Sequence, residues 1–209
     1  MYVNSASLAR MARTQAERSR ATIGELIEVA RARFSAHGYA DTSIEDIVRA
    51  AGVTRGALYH HFESKTEVFR AVVESEQQAL TRSIVKGSSS HNGAWRRFRA
   101  GCRLFLEACL DPSVRRILLL DGPAVLGWEA IREIEARHTL ALLRDGLRAV
   151  AEEEQLAGRD IEMLAHLLFA TLAEGGRLIA KAPHPRQALA GVAASIDRLL
   201  DAVRLEHPR

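Results

Sequence analysis

The chain is poor in aromatic residues, at 5%, and shows few alternations of Val or Thr with polar residues, which disfavours an all-β fold. Only two of its 209 residues are cysteines. Cys102 and Cys109 lie seven positions apart in what reads as one helix, where a rise of about 1.5 Å per residue holds their Cα atoms roughly 10 Å apart, beyond disulfide reach. Both are expected as thiols. Lysine is nearly missing: positions 65, 86 and 181 hold all of it, and arginine supplies the rest of the 29 basic residues. Against 26 acidic residues the formal net charge is only +3, by itself a weak argument for a nucleic-acid partner. No apolar run approaches the roughly 18 to 20 residues that a membrane-spanning helix needs. The best, Met163 to Ala173, contains His166, so no membrane partner is expected. The first ten residues carry no apolar stretch behind a positive start, so nothing reads as a secretion signal and the expected location is the cytoplasm. Catalytic signatures are missing as well: there is no Gly-x-Ser-x-Gly, His-Glu-x-x-His, phosphate loop, dinucleotide fingerprint or paired Glu-x-x-His. An enzyme is not expected, and no catalytic residue, metal or cofactor is assigned.

What is present is helical. With 47% hydrophobic and 26% charged residues the composition is that of a globular protein, long enough for one domain or for a small domain carried on a larger one. Nearly every segment has a helical period, so the fold class is all-α, with about nine helices. After a polar tail with Arg10, Arg13, Arg18 and Arg20, the positions Ile23, Leu26, Ile27, Ala30 and Phe34 form one apolar face that stops at His37-Gly38. Thr42-Ser-Ile-Glu45 has the spacing of a capping box, and Gly52 ends a short second helix. Thr54 caps a third, with Leu58 and Phe62 turned inward and Arg55, Gly56, Tyr59 and His60 left outside. Ser64-Lys-Thr-Glu67 is a second capping box, opening a longer helix. Gly87 to Gly93 reads as a flexible connection. Further helices follow through Trp95 to Cys109, through Val114 to Leu118, from about Trp128 to Glu154, from about Asp160 to Lys181 and from Arg186 to Leu205.

Two short helices joined by Ala51-Gly52-Val53 have the length and turn of a helix-turn-helix, a unit that sets its second helix in the DNA major groove. Arg55 has the chemistry to bond guanine bidentately, and Gly56 leaves room for close backbone approach. Tyr59 and His60 lie one turn on, within reach of phosphate or a thymine methyl. Thr42, Ser43 and Thr54 offer hydroxyls and helix-terminal amides, and Lys65 is expected on a phosphate. Adjacent His60 and His61 point about 100° apart on a helix and do not suit one metal ion.

The run from Phe34 to Phe69, with its Gly-Tyr, Thr-Ser-Ile, Ala-Ala-Gly-Val, Gly-Ala-Leu-Tyr-His-His-Phe and Ser-Lys elements, resembles the DNA-binding region of the tetracycline-repressor (TetR) family. At the level of motifs the resemblance covers about residues 18 to 75. It implies a sequence-specific transcriptional regulator, a repressor first and an activator second, that reads a palindromic operator in double-stranded DNA as a homodimer. It further implies a small-molecule effector in the C-terminal domain, and a helical binding protein without catalysis is the remaining alternative. The corresponding division is a flexible arm over 1–17, a DNA-binding domain over 18–63 and an effector-binding and dimerisation domain over 64–209. Stripes with scattered polar groups mark a mainly apolar effector pocket, expected at Phe98, Cys102, Phe105, Trp128, His138 and His166, with Glu135 nearby. The dimer interface is expected on the last two helices, at Leu164, Leu168, Leu172, Gly175, Ile196, Leu199 and Val203.

Overall fold

The computed structural model describes residues 5–153 and 160–204, with side chains from residue 21 onward. Among them all regular structure is helical: α1 (Ser5–His37), α2 (Ile44–Ala51), α3 (Arg55–Tyr59), α4 (Lys65–Ser88), α5 (Ala94–Ala108), a π-helical segment (Val114–Asp121), α6 (Gly122–Leu126), α7 (Trp128–Arg137), α8 (Thr139–Glu152), α9 (Ile161–Lys181) and α10 (Pro185–Val203). The chain divides into two compact units, Met1–Val72 and Val73–Arg209. The division falls inside α4 rather than ahead of it, because Phe69 belongs to the N-terminal core, its ring 5.0 Å from those of both Phe34 and Tyr39.

In the N-terminal unit α1 buries Leu26, Ala30 and Phe34 and stops at Gly38, whose φ of 83° suits glycine. The segment expected as a flexible arm is helical from Ser5. It carries no Pro or Gly and is rich in Ala and Arg, strong helix formers that continue α1 toward the N-terminus. The capping box of α2 lies one residue later than the spacing suggested. Ser43 Oγ accepts from the Asp46 amide at 3.1 Å, and the Asp46 carboxylate accepts from the Ser43 amide at 3.1 Å. Gly52, at φ 66°, closes the helix in the left-handed region.

The C-terminal unit is built on α5, α8, α9 and α10, whose facing sides share one core that includes Phe98, Leu106, Leu147, Phe169, Leu172 and Leu200. α9 is apolar over a longer stretch than the run read from the sequence, enough to cross a membrane by length and composition, but half of that window is buried within the chain. It is the central core helix. Gly87, expected in a connection, lies in the last turn of α4, where a Cβ would come 2.8 Å from Leu104 Cδ1. The helix expected without interruption from Trp128 to Glu154 is broken at His138, which leaves helical geometry at φ −121° and ψ −89°. At the break the His138 ring and the Arg137 guanidinium both hold the Glu74 carboxylate, at 3.1 and 3.0 Å, a tertiary contact that local helix propensity does not register. In the π-helical segment the Gly122 amide reaches back five residues to the Ile117 carbonyl. A Cβ at 122 would lie 2.8 Å from that oxygen, and the following Pro123 has no amide to donate.

The Ser43 hydrogen bonds hold the Asp46 carboxyl below its ordinary value of 3.8. The group therefore favours the folded state above the ordinary carboxylate range, and that contribution is lost as pH falls through the lowered value. In thermal unfolding Asp46→Asn should be less stable than the parent near pH 7, and at a second pH well below the ordinary carboxylate range the two should converge. A difference that is the same at both pH values would contradict this cap.

Candidate functional site

Thr54 caps α3 by accepting from the Ala57 amide at 3.1 Å. That start fixes the rotation of the helix, so Leu58 is fully buried and Phe62 nearly so, while Arg55, Gly56, Tyr59 and His60 are exposed. The Arg55 guanidinium pairs with the Glu45 carboxylate of α2, reaches the Tyr59 hydroxyl at 3.4 Å and lies 5.4 Å from the Tyr59 ring centre. Tyr59 first and Glu45 second raise the Arg55 pKa, so this side chain stays cationic. The sequence places Glu45 in a capping box and gives no sign of its pairing with Arg55, because no local spacing rule joins positions ten apart across a turn. The His60 and His61 rings meet edge-on at 5.0 Å.

Besides Thr54, three of the residues expected on DNA are engaged in the fold. Thr42 is buried, and its hydroxyl donates to the Gly38 carbonyl at 2.7 Å. Ser43 is the cap of α2. Lys65 Nζ donates to the carbonyls of Tyr39 and Thr42, at 2.7 and 2.8 Å, and lies 4.1 Å from the Tyr39 ring centre. Its ammonium is thus a tie between the start of α4 and the loop that enters α2, with two of its three N–H donors held there. Tyr39 completes the joint through a 2.9 Å hydrogen bond between its hydroxyl and that of Thr66.

Within the C-terminal unit Phe98, Cys102 and Phe105 line a cavity of about 250 Å³. Its other walls come from Ile84 and Val85 of α4, Leu142, Leu143 and Gly146 of α8, and Phe169 and Leu172 of α9. A Cβ at Gly146 would fall 2.9 Å from Phe98 Cδ2, so this glycine lets α8 approach α5 beside the cavity. Glycines at 101 and 146, inside otherwise apolar helical stripes, were the available signal. Burial pushes the Cys102 thiol up to about 12, so at the cavity wall it is a small apolar group rather than a nucleophile.

The other expected pocket residues are not on that wall. Trp128 is 60% exposed and borders a smaller cavity of about 20 Å³, which shares Phe105, Thr139 and Phe169 with the larger one. Glu135 also lines the smaller cavity, and burial pushes its carboxyl up to about 7 against the pull of Arg132 and Arg177. His138 is occupied with Glu74, and His166 is exposed on α9. Burial alone would raise the Glu74 carboxyl, but hydrogen bonds from His138 and Arg137 hold it below its ordinary value.

Most residues expected at a dimer interface pack inside the chain. Leu168, Leu172 and Ile196 are core, with Leu164 and Val203 packed against them, and Gly175 serves the α9–α10 contact, where a Cβ would lie 2.8 Å from Val192 Cγ1. Leu199, at 48% exposed, does face outward, together with Met163, Leu167 and Leu178. A period of three to four marks both faces of so apolar a helix alike, so periodicity does not separate the inner stripe from the outer one.

A capped two-helix unit with an exposed face on its second helix, joined to a helical unit that holds an apolar cavity, defines a helix-turn-helix regulator. Residues 26–72 match the family of bacterial regulatory proteins described as tetR, and residues 95–203 match the tetracyclin repressor-like C-terminal domain. A TetR-family transcriptional regulator from Pectobacterium atrosepticum superposes with a TM-score of 0.81 at 33% identity, over 92% of this chain and 98% of that one. The TetC protein of transposon Tn10 from Escherichia coli is 26% identical over 74% of this chain and 78% of its own length. The probable acrEF/envCD operon repressor of Escherichia coli strain K12 is 54% identical over 57 residues, 27% of this chain and 26% of that one. The chain belongs to the TetR family and is a DNA-binding transcriptional regulator.

Replacing Lys65 by methionine would leave the carbonyls of Tyr39 and Thr42 without their donor. Lys65→Met should lower stability by about 1 to 3 kcal/mol in urea unfolding. Unchanged stability with weakened DNA binding would instead assign Lys65 to the phosphate contact.

Proposed function

We propose that the protein is a repressor that binds a palindromic operator as a homodimer and leaves it when a small, largely apolar molecule occupies the cavity of residues 73–209. The observation that carries the reading is that cavity: about 250 Å³ among mainly apolar side chains, a volume and lining suited to a small organic ligand. The operon repressor named above, 54% identical over 57 residues, supports repression over activation. A location in the cytoplasm, where the DNA is, is part of the same reading.

On this reading α3 enters the major groove, and Arg55 exchanges Glu45 for a guanine edge. Tyr59 and His60 contact phosphate or a thymine methyl, and Gly56, Ser43 and Thr54 lie against the backbone. The dimer forms through the outer faces of α9 and α10, where Leu167, Leu178 and Leu199 are about half exposed or more. The face is apolar enough to need cover, and a second copy of the same helices is the symmetric way to supply it.

Two measurements test this. Operator sequences selected from random duplex DNA should lose about 1 to 3 kcal/mol of affinity with Arg55→Ala, and preference should relax at one symmetric pair of positions. Equal weakening on every sequence would reassign Arg55 to phosphate. In sedimentation the parent should be a dimer and Leu199→Asp a monomer with little operator affinity; a monomeric parent would refute the interface.

A further inference from the structure

We propose that the effector carries a neutral hydroxyl group, held by Gln77, Thr139 and Glu135 at the point where the two adjoining cavities meet, with its apolar body in the larger one. The inference rests on the reading of the larger cavity as the effector site and adds the chemistry of the ligand's polar end. Gln77 on α4 and Thr139 at the start of α8 are each only 6% exposed. Their side-chain oxygens, Gln77 Oε1 and Thr139 Oγ1, have no hydrogen-bond partner. A buried polar atom without a partner is costly and marks a site built for something else to fill.

Both side chains line the smaller cavity, which has about 20 Å³, room for one water-sized group, and Thr139 lines the larger cavity as well. An elongated apolar molecule in the larger space therefore finds its polar acceptors past Phe105 and Phe169, which border both.

The donor and acceptor inventory selects the class of group. Gln77 Oε1 only accepts, so the incoming group must donate a proton. A carboxylate cannot, and it would meet the Glu135 carboxyl in a place where the local cations are already engaged. Arg177 pairs with Glu174 at 2.7 Å, and Arg132 lies 5.8 Å from the Trp128 ring centre and 5.9 Å from that of Phe169. An ammonium would face those same two guanidinium groups. It would also find in Glu135 a carboxyl that burial keeps partly protonated near neutral pH, its value raised to about 7. A hydroxyl donates to Gln77 Oε1 and accepts or donates with Thr139 Oγ1 and Glu135 without bringing charge into the site.

The test is a titration of the full chain by calorimetry with three probes of one shape: 4-propylphenol, 4-propyltoluene and 4-propylbenzoate. The phenol should bind at least about tenfold more tightly than the toluene, and the benzoate more weakly than the phenol. In Gln77→Leu and Thr139→Val, which are near in volume to the parent residues, the preference for phenol should fall toward one while the toluene affinity is kept. Retained toluene binding also shows that each variant is folded. Equal binding of phenol and toluene to the parent, or a preference unchanged in both variants, would overturn the hydroxyl site and leave the apolar cavity standing. Tightest binding of the benzoate would overturn it in favour of an anion. If none of the three binds, the cavity reading fails with it.

Discussion

A helix of five residues does not hold its shape in water, since the cost of nucleation exceeds what one or two backbone hydrogen bonds return. α3 is such a helix, and its exposed face, proposed to read DNA, exists only because its surroundings impose it. Thr54 fixes its first turn, Gly52 turns the chain into it, and the buried Leu58 sets its rotation. The Lys65 ammonium, bonded to two carbonyls of the loop before α2, ties the start of α4 to the same framework. Arg55, Tyr59 and His60 can be exposed and still be in register because none of them is needed to hold the helix.

The larger unit solves a different problem, which is to keep space open within a close-packed helical core. Glycine does part of this: without Gly146 and Gly175 the helices α8 and α10 could not approach α5 and α9 as they do. The break at His138 does another part. It ends α7 and begins α8 at Thr139, bringing a hydroxyl to the wall between the two cavities. The hold of Arg137 and His138 on Glu74 anchors that break to α4, the helix that also supplies Gln77, Ile84 and Val85 to the cavity walls.

The N-terminal unit was largely legible from sequence because its elements are short and punctuated by chemistry that acts locally. Thr54 as a cap, Gly52 as a stop and Leu58 as an inward residue follow from spacing alone. For the cap of α2 the spacing points to Thr42, but Thr42 is buried and Ser43 takes the role, and burial is a tertiary fact. The same holds for the tie at Lys65, since no local spacing joins it to the carbonyls of Tyr39 and Thr42 that hold its ammonium. In the C-terminal unit the stripe on α5 could be read, which is why Phe98, Cys102 and Phe105 were found. The facing wall could not. Leu142, Leu143 and Phe169 carry no mark that separates a cavity wall from ordinary packing, and the inner and outer faces of α9 are both apolar.

The central claim is that one molecule in the cavity and one operator on α3 compete through the protein. Its direct test is the affinity of the cavity for a bound probe, 4-propylphenol, measured with and without saturating operator DNA recovered by selection. The account predicts that operator weakens probe binding by a factor of about 5 to 150, and that saturating probe weakens operator binding by the same factor, as linkage requires. Tight binding of the probe with equal affinity in both conditions would contradict it, because a ligand indifferent to the two states shifts neither.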